Sequence, residues 1–153
     1  MQRRELDFQS FGEIVAEIDR LQEHGYQQVG HWNLGQTCQH LRVVFVGSMA
    51  DVPIKAPWIV RTFIAPFALR KILKSRRMPE GVKLPHSSLA PKDDVDEGKM
   101  VSRFKKSIET FEKFDGALND HPFFGKLDKE QWSQIHLIHS THHLSFLVPN
   151  ETS

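Results

Sequence analysis

Apolar residues recur every three or four positions through much of this chain, the spacing that lines one face of an α-helix. Phe11, Ile14, Val15, Ile18 and Leu21 form the first such stripe. Ser10 and Glu13 stand at the S-x-x-E spacing of a capping box, which satisfies two backbone donors at a helix start, and Gly25 is a natural stop. The first helix is therefore predicted from Ser10 to about His24. A second is predicted from Leu34 to about Ala50, with Asn33 as its cap and Gln36 three positions on. Leu34, Leu41, Val44, Phe45 and Ser48 supply its buried stripe. His40 sits at the edge of that stripe, and Gly47, seven residues on, leaves room on the same face. Pro53 and Pro57 end the element.

Ile59 to Ser75 reads as a helix kinked or broken at Pro66. Met78 to Lys92 carries Pro79, Gly81, Pro85 and Pro91 and reads as a long extended loop, of the kind that covers sites or interfaces. Met100, Phe104, Ile108 and Phe111 set the period of a third main helix, predicted from Val95 to about Asn119 with Asp94 as its cap. After a loop from Asp120 to Leu127, Asp128 caps a last helix reaching about Leu147. No segment alternates like a strand. The expected fold class is all-α: an antiparallel four-helix bundle with a partly helical insertion (51–93) between helices two and three. One domain spanning residues 1–153 is expected.

Composition narrows the function classes. Of the 153 residues, 39% are hydrophobic and 25% charged, and the net charge is only +1, which offers no basic excess for nucleic acid. The single cysteine, Cys38, forbids an intrachain disulfide and suits a reducing, cytoplasmic setting. Met1 to Asp7 has no apolar core of a signal peptide. Trp58 to Leu73 is apolar but interrupted by Arg61, Pro66 and Arg70, too short and too charged to span a bilayer. Lys71, Lys74, Arg76 and Arg77 at its end would suit a membrane surface. Packing on the bundle or on a second copy, as a homodimer, is the preferred reading.

The chemistry concentrates near the C-terminus, where His136, His139, His142 and His143 crowd the last predicted helix. With His139 at 0°, helical geometry puts His143 near about 40°, His136 near about 60° and His142 near about −60°. His139 and His143 thus stack one turn apart on an inward face, where two imidazoles can grip one ion. His40, facing inward from another helix, is the candidate third ligand. Three histidines would leave an open coordination position for solvent or substrate. Cys38 lies about 200° around the helix from His40 and cannot share its ion. The competing reading makes His139 and His143 core histidines bonded to backbone or water, and His40 a boundary residue. His136, His142 and His121 are candidates to move protons, or are plain helix-side and turn residues. His24, His31 and His86 read as solvated. Ser140 follows His139, so the general-base glutamate of an H-E-x-x-H peptidase is missing.

Two stretches carry a family likeness. One is Gly30-His31-Trp32-Asn33-Leu34-Gly35-Gln36 followed by His40-Leu41. The other is His121-Pro122-Phe123-Phe124-Gly125-Lys126-Leu127, then Trp132 and His139-Ser140-Thr141-His142-His143-Leu144. Here the chain resembles the DinB/YfiT-like superfamily of metal-dependent enzymes, nearest to a bacterial branch of undefined function. The resemblance implies a four-helix bundle that binds a divalent ion, zinc or nickel, through His40, His139 and His143. It also implies dimers, and thiol-dependent S-transferases that use a low-molecular-weight thiol as co-substrate. The chain departs from the pattern at Leu144, where relatives often carry a basic residue, and in the middle insertion.

The reading of function that results is a divalent-metal-dependent enzyme, a thiol-dependent S-transferase or a hydrolase, acting on a small molecule. The alternatives are a non-catalytic metal-binding protein and a helical protein-interaction module contacting partners through Trp58 to Leu73.

Overall fold

The computed structural model describes residues 2–50, 55–81 and 87–150. Expectations for Pro53, Pro85 and His86 fall outside the described residues. The chain is mostly helical, with five α-helices and one short two-stranded sheet. Helix α1 runs Phe11–His24, α2 Leu34–Met49, α3 Ala65–Ser75, α4 Glu97–Lys113 and α5 Lys129–Leu144. Strands β1 (Tyr26–Gln28) and β2 (Leu147–Pro149) pair antiparallel, with Gln28 opposite Leu147.

Three helix starts follow from side chains that serve the first turn's free backbone donors. Ser10 with Glu13, Asn33 with Gln36 and Asp128 with Gln131 each form a reciprocal capping box. The start of α4 differs from expectation. Asp96, not Asp94, caps it, its Oδ1 accepting the Lys99 N–H at 2.9 Å. Its end comes at Lys113, six residues before Asn119, because other groups take over the chain there. Lys129 donates to the carbonyls of Phe111 and Phe114, and the Asn119 amide bonds Gly47 and Ala50 at the end of α2. The expected space beside Gly47 is thus bordered by Asn119.

Helix α5 also stops early, at Leu144 rather than Leu147. The residues beyond it are drawn into β2, which pairs with the strand that follows α1. The expectation of no strands fails here: three residues per strand are too few to display alternation. Before α3, Val60–Ile64 form a π-helical turn in which the Ala65 N–H reaches Val60 five residues back. Pro66, which has no N–H to give, follows directly and accounts for the break predicted at that residue.

The core is centred on Phe45, whose ring meets Phe11, Phe104 and Phe111 edge-on and lies flat on His136 at 3.8 Å. Helix α2 packs on α4 and α5, and α1 packs on both of these. Gly35 permits the close approach of α2 to α4, since a Cβ there would stand 3.0 Å from the Glu97 Cα. Helix α5 is buried on most of its circumference, from Trp132 and Ile135 to Ser140 and Leu144. It therefore lacks the one-sided pattern of a surface helix. Among the described residues no helix is long and apolar enough to cross a membrane.

Candidate metal centre

Helices α2 and α5 bring three histidines together. His40 Nε2 lies 3.1 Å from His139 Nε2, and His143 Nε2 lies 3.0 Å from the same atom. Among the described residues, these three form the one group whose ligand atoms converge closely enough to hold a metal ion. His40 is buried, and His139 and His143 are half-buried.

The protonation pattern is constrained. His40 Nδ1 is 2.7 Å from the Leu89 carbonyl. A carbonyl only accepts, so the proton sits on Nδ1 and the Nε2 of His40 presents a lone pair to His139. His139 Nε2 then has two imidazole neighbours and at most one proton to share between them. A single cation between the three nitrogens would serve every lone pair at once. Two imidazoles on one zinc, with Zn–N near 2.0–2.1 Å, stand about 3.0 Å apart at right angles and about 3.4 Å apart in a tetrahedron. The observed separations fit that range, and the Leu89 carbonyl is the kind of outer acceptor that orients a ligating imidazole.

Burial keeps all three rings neutral, the form a ligand must have. His40 is held below the usual histidine range by burial, against the opposing pull of the Leu89 carbonyl. His139 is pushed well below it by burial and then by His143 and His40. His143 is pushed down to about 2, again mainly by burial.

Two supports were not read from the sequence as parts of the site. Trp32 stacks on His143, with ring centroids 5.1 Å apart and planes 20° apart, and tilts against His40 at 4.9 Å. Leu89 comes from the loop crossing α2, which is tied down where Lys92 N–H meets the Gln39 side chain at 2.8 Å. Trp32 lies in a quoted motif, but no spacing rule gave it a role. Leu89 acts through its backbone, which leaves no mark in a sequence.

The other candidates lie elsewhere. His136 is fully buried in the aromatic core, between Phe45 and Trp132. The Ser48 hydroxyl donates to the Phe45 carbonyl, so it accepts the Nε2 proton of His136 at 3.1 Å. The Nδ1 of His136 has no partner among the described residues. His121 Nδ1 accepts the N–H groups of Phe123 and Phe124 at 3.1 and 3.2 Å, which fixes the turn that closes at Gly125 (φ 75°). Burial lowers the His121 pKa to about 4. His142 is the one proton-moving candidate beside the trio, its ring 4.9 Å from that of His143. Its Nδ1 faces the Arg3 guanidinium at 3.2 Å and must accept. Tyr26 donates to Glu97 at 2.7 Å and accepts from the Leu34 N–H, joining β1, α2 and α4. Cys38 is buried away from the cluster, and burial pushes its thiol far up.

Fold and cluster together define a mostly helical protein with three histidines converging where α2 meets α5. The chain belongs to the family described as Protein of unknown function (DUF1569), which it matches over residues 1–150. No curated protein and no solved structure matches it.

Proposed function

We propose that His40, His139 and His143 hold one divalent metal ion, zinc or nickel, and that the protein is a metal-dependent enzyme acting on a small molecule. The observation that carries this reading is the convergence of three imidazole Nε2 atoms at 3.0–3.1 Å around His139, with His40 committed to the right tautomer. The motif likeness to the DinB/YfiT-like superfamily supports the same trio. It also supports reading α1, α2, α4 and α5 as a four-helix bundle within one domain.

A metal bound by three neutral ligands would lower the pKa of a bound water or low-molecular-weight thiol and so furnish a nucleophile at neutral pH. This makes S-transfer and hydrolysis the reactions to screen. Leu89 and Trp32 fix the ligand rings, and His142 is placed to hold or pass a proton. The lone, buried Cys38 accords with a cytoplasmic setting.

A second reading has its own observation. Trp58, just before the π-helical turn, Phe63 within it and Phe67 on α3 are 67, 62 and 73% exposed. That apolar row favours an interaction role, with a second copy of the chain as the simplest partner.

The deciding experiment is metal analysis by mass spectrometry on untagged protein beside His139→Ala/His143→Ala. About one ion per chain, lost in the variant, is the expected result. Protein that contains no metal and takes up neither zinc nor nickel would sink the proposal.

A further inference from the structure

A cavity of about 240 Å³ opens on the far side of His142 from the trio, between the N-terminal segment, the end of α3 and the last turn of α5. Four guanidinium groups line it, those of Arg3, Arg4, Arg76 and Arg77, against the two carboxylates of Glu5 and Glu80.

The arginines fall into two kinds. Arg4 and Arg76 are structural. Arg4 pairs with the nearly buried Glu17 at 2.5 Å. Arg76 sits in the left-handed conformation that ends α3 (φ 53°) and is anchored to Asp7, Phe8 and Gln134. Arg3 and Arg77 are paired only with carboxylates that stand in solvent, Glu80 (72% exposed) and Glu5 (97% exposed, 3.9 Å away). Such exposed pairs hold weakly and exchange readily.

Arg3 is also positioned in advance. Its Nε donates to Ser145 at 2.5 Å, its Nη2 to the Nδ1 and carbonyl of His142 at 3.2 and 3.3 Å, and its plane lies over Phe146 at 4.4 Å. A guanidinium fixed in place loses little freedom when it takes a carboxylate or phosphate.

We infer that this cavity binds the anionic group of a small molecule, a carboxylate or a phosphate, which displaces Glu80 from Arg3 and Glu5 from Arg77. The volume corresponds to about eight waters, enough for one anionic head. Resting on the proposed metal chemistry, the inference narrows the substrate class to small anions. The Arg3–His142–His143 line places the recognised charge one imidazole away from the trio.

The test is a calorimetric titration with inorganic phosphate and, separately, with succinate. The proteins are the wild type, Arg77→Gln, Arg3→Gln, Glu80→Gln and His139→Ala/His143→Ala, each checked by thermal melting. Arg77 is largely exposed, so its variant stays folded even if Arg3→Gln does not. Saturable binding of at least one anion is expected, weakened about tenfold by Arg77→Gln and by Arg3→Gln. Glu80→Gln should tighten binding, which loss of a merely structural ion pair would not do. Binding should persist in the trio variant. The tighter of the two anions identifies the group. No saturable binding, or equal binding in the wild type and Arg77→Gln, overturns the inference and leaves the metal reading intact. Binding lost in the trio variant would place the anion on the metal and overturn it too. Anion binding by a protein that takes up no metal would retain the cavity and remove the metal chemistry.

Discussion

The carbonyl of Leu89 accepts the Nδ1 proton of His40 at 2.7 Å and thereby decides which nitrogen of His40 faces His139. A short 3-10 turn outside the five α-helices sets the chemistry of a side chain within one of them. His40→Ala should therefore remove a lone pair already aimed at the trio, and zinc affinity should fall more than about 100-fold, whereas Trp32→Ala, which removes only the stacked support of His143, should cost about tenfold. Competition with a chromophoric chelator measures both. Equal effects would mean that Trp32 holds the cluster as strongly as a ligand does.

Gly35 lets α2 and α4 touch, and its replacement tests whether that contact also positions His40. The added methyl of Gly35→Ala would meet Glu97 backbone at 3.0 Å and the Val95 side chain at 3.3 Å. Overpacking of this kind costs about 1–3 kcal/mol. We expect a lower melting temperature together with weaker zinc binding, as α2 shifts relative to α5. A stability loss with unchanged affinity would show that the cluster tolerates helix movement.

Acid should destabilise the metal-free protein in a window set by its buried histidines. The His121 pKa is about 4 when folded and near about 6.5 in the unfolded chain. Between these values the unfolded chain binds a proton that the folded chain refuses, so stability falls as pH falls through the window and is level above it. At pH 5 this one group costs about 2 kcal/mol. The carbonyl of His121→Asn can still accept the Phe123 and Phe124 N–H groups. The variant should melt lower at pH 7.5, from the lost contact of the His121 ring with Trp132 (centroids 5.1 Å apart, planes tilted by 41°), but lose less between pH 7.5 and pH 5. Melting curves at the two pH values decide it.

The cap of α5 should matter to stability and not to the ligands. Asp128→Ala removes the acceptor for the Gln131 N–H, eleven residues before His139. A loss of about 1 kcal/mol, or about 2–4 °C in melting temperature, is expected, with metal content unchanged.

The sequence was most legible where side chains act locally. All three capping boxes it suggested are present, and Ile14, Ile18 and Leu21 of the first stripe are buried, with Val15 half-buried beside them. It was least legible where distant segments compete. Helix α4 ends at Lys113 where Lys129, from the start of α5, takes up the carbonyls of Phe111 and Phe114 and Asn119 ties the following chain to the end of α2. Likewise α5 yields to β2 because a partner strand lies after α1. The trio followed from helical spacing plus one inward histidine, and those atoms do converge. Helical spacing also put His136 on the same broad side as His139 and His143. The fold instead directs it to Ser48, because about a 60° rotation around α5 is enough to exchange one neighbouring helix face for another. Arg3 and Leu89 left no periodic trace, since Arg3 precedes the first helix and Leu89 ends a single 3-10 turn, Ser87–Leu89, too short to show a period.

His40 and His139 are separated by 99 residues in the chain, yet their nitrogens nearly touch. During synthesis His40 emerges long before either of its companions, so a growing chain offers only an isolated imidazole until α5 has been made. Loop closure over that span is among the slower events in assembling such a domain. Metal uptake at the proposed site would, by this order, belong to the last stage of folding: the ion would act as a lock on a finished arrangement rather than as a seed around which the helices gather.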